Sequence, residues 1–137
     1  MNIHPPLTAF PVALLVVSFL AALFEAYGYK QLKIVARVNL LIGAIFLVGA
    51  FISGYQGSEF ASGTFKVANE TIDFHHTIGK LALLALVPVL SLLFYYERSK
   101  ILKVFYLFFF ALEVGLVLYT GYLGGELVFR HGAGVTL

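Results

Sequence analysis

The sequence predicts an all-α protein, an integral membrane bundle of four helices with both termini on the outer side. Hydrophobic residues make up 61% of the 137 residues and charged residues only 12%, whereas about 25% of residues are charged in soluble domains. Four long apolar runs recur along the chain, each long enough to cross a hydrocarbon core of about 30 Å. Basic residues concentrate in two of the turns between these runs, which predicts the orientation.

The four helices are predicted from the apolar runs and the residues that flank them. Pro5 and Pro6 are expected in an extended segment before the first helix, and Pro11 in its first turn, where a missing N–H costs little. Asp73 is expected to be the N-cap of the third helix. The runs leave no room for a soluble module, so residues 1–137 are predicted to form one transmembrane domain. The helices span about residues 8–27, 34–56, 74–96 and 101–129.

The charges between the helices predict which ends face the cytoplasm. The first and third turns are basic, with Lys30, Lys33, Arg37, Arg98, Lys100 and Lys103. Both are expected inside, so that the termini and the loop at residues 57–72 face outward. The net charge of +2 is too small and too dispersed to indicate a nucleic-acid partner.

All four histidines fall at the predicted outer end, namely His4, His75, His76 and His131. The chain has no cysteine, which excludes disulfides, thiolate-held iron–sulfur clusters and Cys-rich zinc sites. Neutral imidazoles on two facing helices are what the axial ligation of a b-type haem requires. We expect one haem, with His131 and either His75 or His76 as axial ligands. His4 is a third candidate ligand or a supporting group.

Small and basic residues beside the histidines fit this interpretation. Gly79 follows the histidine pair by one turn, and Gly124 shares a helix face with His131, so both would leave room for a flat ring. Ordinary packing glycines would give the same pattern. Arg130 and Lys80 are expected to pair with the haem propionates.

Two alternatives use the same fold without haem. The histidines would form a zinc or copper site, with Glu126 or Asp73 as an oxygen ligand. Otherwise the chain would be a scaffold subunit of a respiratory complex that binds no cofactor. The H-E-x-x-H spacing of metallohydrolases is absent, and an electron-transfer protein is favoured over an independent catalyst.

Glu113 lies near the middle of the fourth helix, where a carboxylate is costly unless it is protonated, paired or hydrated. It is expected to relay protons or to contact a quinone head group. The alternative is a neutral carboxyl bonded to Asn39, Ser91 or another helix. Nearer the inner end, Glu25 and Arg37 are expected to form an ion pair.

Small residues recur on the second and fourth helices, where backbones could approach closely. We interpret them as packing positions within the bundle, and a homodimer through these Gly-rich faces is the alternative. They are Gly49, Ser53, Gly57, Ala111, Gly115, Gly121 and Gly125.

Three segments, HPPLTAFPVALL at the start, HHTIG and GYLGGELVFRHGAGV near the end, resemble a widespread bacterial family of small four-helix membrane proteins classed as a domain of unknown function. Relatives carry a histidine directly before the Phe-Pro pair of the first helix, where this chain has Ala9. Some relatives are fused to Rieske or c-type cytochrome domains. The resemblance implies a place in the bacterial cytoplasmic membrane, close to a respiratory electron carrier or the quinone pool.

Overall fold

The computed structural model describes residues 4–65 and 69–131, which form four long helices and no β-strand. Single 3-10 turns at Lys30–Leu32 and Tyr96–Arg98 lie in the first and third connections. Every helix contains a stretch long and apolar enough to cross a membrane. The predicted all-α, four-helix membrane fold is therefore confirmed. The helices are α1 (His4–Ala26), α2 (Lys33–Phe65), α3 (Asn69–Leu92) and α4 (Lys100–His131).

The helices pack around an aliphatic and aromatic core to which each contributes. Leu15 of α1, Leu40 of α2, Val89 of α3 and Phe110 of α4 are fully buried. The most extensive contacts are between α1 and α2 and between α3 and α4, and α1 also packs on α4. Only 28–33% of each membrane-spanning stretch is buried inside the bundle, which leaves a broad apolar surface for lipid, the partner that the composition predicts.

The bundle has two different ends. We call the end with His4 and the end of α4 the histidine end, and the end with the first and third connections the turn end. At the histidine end α1 begins at His4, so Pro5 and Pro6 belong to its first turn and the predicted extended segment is wrong. The first four N–H groups of a helix have no helical partner, so prolines are tolerated there. Pro11 consequently lies inside α1, beyond its first turn.

The predicted loop at residues 57–72 is largely helical. The apolar stretch of α2 ends at Ser58, yet the helix continues to Phe65, because helical hydrogen bonds do not require apolar side chains. Since α3 begins at Asn69, Asp73 is not its N-cap. Its carbonyl instead accepts a 2.8 Å hydrogen bond from Oγ1 of Thr77 within the helix.

At the turn end, the predicted ion pair between Glu25 and Arg37 is wrong. Gly28 has a φ of +116°, in the left-handed region, and the chain turns back so that Nζ of Lys30 lies 2.9 Å from Oε1 of Glu25. Glu25 is buried, with 3% of its side chain exposed, whereas the Lys30 side chain is 66% exposed. Glu25 is thus paired with a lysine of the turn that directly follows α1.

Glu97 joins the third connection to the start of α2. Its carboxylate forms ion pairs with Lys33 and with Arg37, the latter at 3.5 Å. The guanidinium of Arg37 also lies 5.9 Å from the ring centroid of Tyr96. The hydrogen bond from Lys33 is the main reason that the pKa of Glu97 is lowered. One carboxylate therefore ties the α3–α4 turn to α2.

Candidate functional site

A cavity of about 260 Å³ lies at the histidine end, with walls from all four helices. Most of its lining is apolar, including Val12, Phe51 and Val117. The remaining lining is notable for imidazoles and for residues without a side chain. These are His4, His75 and His76, with Gly54, Gly79, Gly121, Gly124 and Gly125.

Imidazoles from two helices meet at this cavity. The ring of His4 on α1 lies edge-on to that of His75 on α3, with centroids 6.3 Å apart and planes crossed at 80°. His76 lies next to His75, at a centroid distance of 6.0 Å, and stacks on Tyr55 of α2 at 6.0 Å. His75 is 9% exposed and His76 is half-buried. The structure therefore distinguishes the two neighbours: His75 faces His4 from within the core.

One hydrogen bond orients the ring of His4. Its Nδ1 lies 3.0 Å from Oγ of Ser53, which also donates to the carbonyl of Ala50 at 3.0 Å. When Nδ1 carries the ring proton and donates it to Ser53, Nε2 carries the lone pair. Burial lowers the pKa of His4, which favours this neutral form. A neutral imidazole with a lone pair at Nε2 is the form that binds metals.

His75 presents a buried nitrogen without a partner. Its Nδ1 forms no hydrogen bond. The backbone of Thr120 is near the ring, but it does not meet the distance and angle of a hydrogen bond to Nδ1. An unpaired buried polar group costs about 1–3 kcal/mol. A nitrogen left in this state is typical of a group that meets a ligand.

Two glycines make room for the rings. A Cβ built at Gly54 would lie 2.7 Å from Cε1 of His4, and one at Gly124 would lie 3.3 Å from Cε1 of His75. Only the first distance is shorter than real Cβ atoms allow. Gly124 was predicted as a site residue from its helix face, whereas Gly54 was missed because nothing in the sequence indicates that α2 faces a histidine.

The comparison with protein families adds an independent finding. Residues 1–137 match the family described as Predicted membrane protein (DUF2231). The chain belongs to this family. Membership of a membrane-protein family with a domain of unknown function is thus confirmed. No curated protein and no solved structure matches the chain.

Of the other predicted site residues of this DUF2231 chain, one lines the cavity and others do not. Gly79 lines it. Lys80 and Arg130 are exposed and do not line it, and Arg130 pairs with Glu126 at 3.2 Å. His131 is the last residue of α4, and its side chain lies outside the described part of the structure. Its predicted role as a ligand stays a prediction.

The described residues contain no cluster of side chains that fits the predicted zinc or copper site. Within residues 4–65 and 69–131, no group of three or more His, Asp or Glu side chains is arranged to hold one ion. The zinc or copper site stays a prediction, because the side chain of His131 is not among those searched.

Glu113 lies below the cavity on the same side of α4 as Val117 and Thr120, four and seven residues further along. Its side chain is fully buried, and neither carboxyl oxygen has a hydrogen-bond partner. The expected alternative partners are engaged elsewhere: Asn39 donates to the Val35 carbonyl, and Ser91 to a carbonyl of its own helix. Glu113 is therefore an unpaired acid in the core of the bundle.

Proposed function

We propose that the protein binds one b-type haem at the cavity, with His4 and His75 as axial ligands, and that it transfers electrons within the membrane. The observation that carries this proposal is the approach of the two imidazoles, from different helices, at a glycine-lined cavity, at a centroid distance of 6.3 Å. When bound, haem supplies one-electron redox chemistry, and the protein supplies ligands, orientation and an apolar surrounding.

The distance between the rings supports axial ligation. Two imidazoles that bind one metal from opposite sides, each through a bond of about 2 Å, have centroids roughly 6 Å apart. Three imidazoles around a tetrahedral ion would have centroids roughly 5 Å apart. The pairs of His75 with His4 and with His76 lie at 6.3 and 6.0 Å. The first distance matches opposed ligands, and the second is wide for a tetrahedral site.

The surroundings of His4 also support ligation. Metal-bound histidines usually donate their second ring N–H to a neighbouring acceptor, which orients the ring and fixes the tautomer. In this proposal the bond between Nδ1 of His4 and Oγ of Ser53 has this role, with the ring proton on Nδ1 and Nε2 as the ligating atom. On the other side, the unpaired Nδ1 of His75 is the buried atom for which a ligand would provide a partner.

The size of the cavity restricts how a macrocycle can lie in it. The volume of about 260 Å³ is slightly below the range of about 300–1,000 Å³ of most ligand sites. The cavity is partly open, so it would hold only part of a haem, and the remainder would extend outside it.

The cellular setting forms part of the same proposal. We place the protein in the bacterial cytoplasmic membrane with its histidine end outward, because the lysines and arginines concentrate at the turn end. Electrons then pass between the quinone pool and an external carrier. The resemblance to a family of which some members are fused to Rieske or c-type cytochrome domains implies the same role.

The test is a visible spectrum of protein purified in detergent after expression with added haem. We expect the Soret and α bands of a b-type cytochrome in the wild type. Both are expected to disappear in His4→Ala and in His75→Ala. The matched control is His76→Ala, which removes the neighbouring imidazole and should keep the bands.

Four outcomes would overturn the assignment. A haem-free wild type would exclude the haem. Unchanged spectra in both His4→Ala and His75→Ala would exclude these ligands, and loss of the bands in His131→Ala would give the ligand role to that residue. A colourless protein with stoichiometric zinc or copper, lost in His4→Ala, would establish the metal alternative.

A further inference from the structure

Glu113 is an acid that has no role as a ligand or supporting residue in the proposed haem site. It is the carboxyl with 0% exposure in the middle of α4, and both of its oxygens lack a hydrogen bond. A buried unpaired carboxylate is very costly in an apolar surrounding, so the neutral acid is favoured. Even the neutral acid leaves a donor and an acceptor unsatisfied. Packing alone would be served better by leucine.

The titratable groups of the bundle lie some distance from Glu113 towards either end. On α4 itself, Tyr106 lies two turns towards the turn end. Glu25 of α1 and Arg37 of α2 lie at that end, where Glu25 pairs with Lys30 and Arg37 pairs with Glu97. Towards the histidine end are His4 of α1 and, from α3, His75 and His76. Among the described residues, no cationic side chain forms an ion pair with Glu113.

The geometry of α4 connects Glu113 to the cavity. Val117 and Thr120, on the same face, both line it. At a rise of 1.5 Å per residue, Glu113 lies about 6 Å along the helix from Val117 and about 16 Å from Gly124. Gly124 is the residue against which His75 rests. The carboxyl is thus close enough to respond to a charge at the histidines and too far away to bind the same ion.

We propose that Glu113 is the proton acceptor that compensates the charge change at the cavity when its haem is reduced, an inference that rests on the proposed function. A haem bound there would supply the one-electron change, with the electron coming from the quinol or the external carrier. For each electron gained, the Glu113 carboxylate takes up one proton from bulk solvent and becomes the carboxylic acid. On reoxidation the electron leaves to a carrier and Glu113 returns its proton to bulk solvent.

The physical reason is the low dielectric of the bundle core. A ferric haem with two neutral imidazoles carries one positive charge more than the ferrous form. This charge stabilises the Glu113 carboxylate by an interaction that weakens in proportion to distance and to the local dielectric constant. When reduction removes the charge, no cation among the described residues is paired with Glu113 to balance it, and the carboxylate takes up a proton.

The test is the midpoint potential of the haem-loaded protein as a function of pH. In the wild type we expect the potential to fall with rising pH, with a slope below the limit of about 59 mV per tenfold change in proton concentration for one electron. In Glu113→Gln the slope should vanish while the haem spectrum stays. The matched control is Glu25→Gln, another buried carboxyl, and it should keep the wild-type slope.

An infrared difference spectrum of the wild type provides a second readout that needs no variant. On reduction we expect the carbonyl band of a protonated carboxylic acid to appear and to shift in D₂O. A wild type that binds haem but shows neither the slope nor the band overturns this inference alone, as does a slope that persists in Glu113→Gln. A wild type that binds no haem overturns the proposed function with it.

Discussion

Gly54 of α2 supports the ring of His4 of α1 so closely that a Cβ at residue 54 would lie 2.7 Å from Cε1 of the imidazole. Real Cβ atoms do not approach other atoms this closely. Any side chain at residue 54 therefore displaces His4. Thus α2, which carries no histidine, determines the position of the His4 ring through Gly54.

Replacing this glycine gives the most direct test of the packing. We expect Gly54→Ala to lose most bound haem, because the His4 ring must move away from His75. The matched control is Gly49→Ala on the same helix, where a Cβ would meet nothing within 4 Å. That change should keep the haem and stabilise the helix by about 0.5–1 kcal/mol. Haem stoichiometry and thermal unfolding measure both effects, and full haem binding in Gly54→Ala would contradict the predicted contact.

The hydrogen bond from His4 to Ser53 predicts a second, weaker effect. Ser53→Ala removes the acceptor that orients the ring, and such changes near a metal ligand typically reduce affinity by about 10–100-fold. Ser58→Ala is the control, because Ser58 makes the same kind of bond to a carbonyl three residues earlier. Haem titration of the two variants should separate them. Equal affinities would show that the bond does not orient a ligand.

Glu97 predicts a dependence of stability on pH. Its pKa is lowered in the folded protein, mainly by the hydrogen bond from Lys33, so its contribution is complete above the pKa of the unfolded chain and is lost as the pH falls through the lower folded value. The wild type should exceed Glu97→Gln by about 0.2–1 kcal/mol near neutral pH, because the pair is partly exposed. The two should converge below a pH of about 4. Thermal unfolding in detergent measures this, and a constant difference down to acid pH would contradict the predicted linkage.

The proposed orientation can be tested because the chain has no cysteine. Single cysteines at Gln31 and Gly63 would report the turn end and the histidine end, since both positions are exposed. An impermeant maleimide should label Gly63→Cys in intact spheroplasts and Gln31→Cys only after lysis. The reverse pattern would place the histidine end in the cytoplasm.

The four membrane spans could be predicted because hydrocarbon thickness imposes the length of an apolar run. The helix ends could not, since residues 59–65 and 69–72 still form helix. Apolar composition marks where lipid begins, and hydrogen bonding decides where a helix ends. Asp73 resembles an N-cap by residue type but lies inside α3.

The site was only partly predictable for a related reason. The gathering of His4 with His75 and His76 follows from the order of the helices. Which side chains face inward depends on the rotation of each helix, and helices in lipid are apolar on all sides, so the pattern of residues does not show it. The approach of Ser53 and Gly54 to His4 is a product of that rotation.

The carboxylate of Glu97 has a mechanical consequence for the whole protein. Its two cationic partners clasp one end of the bundle, whereas at the other end the walls of the cavity are thinned by glycines. On heating or under force, the helices should therefore separate first at the histidine end, while the turn end stays together.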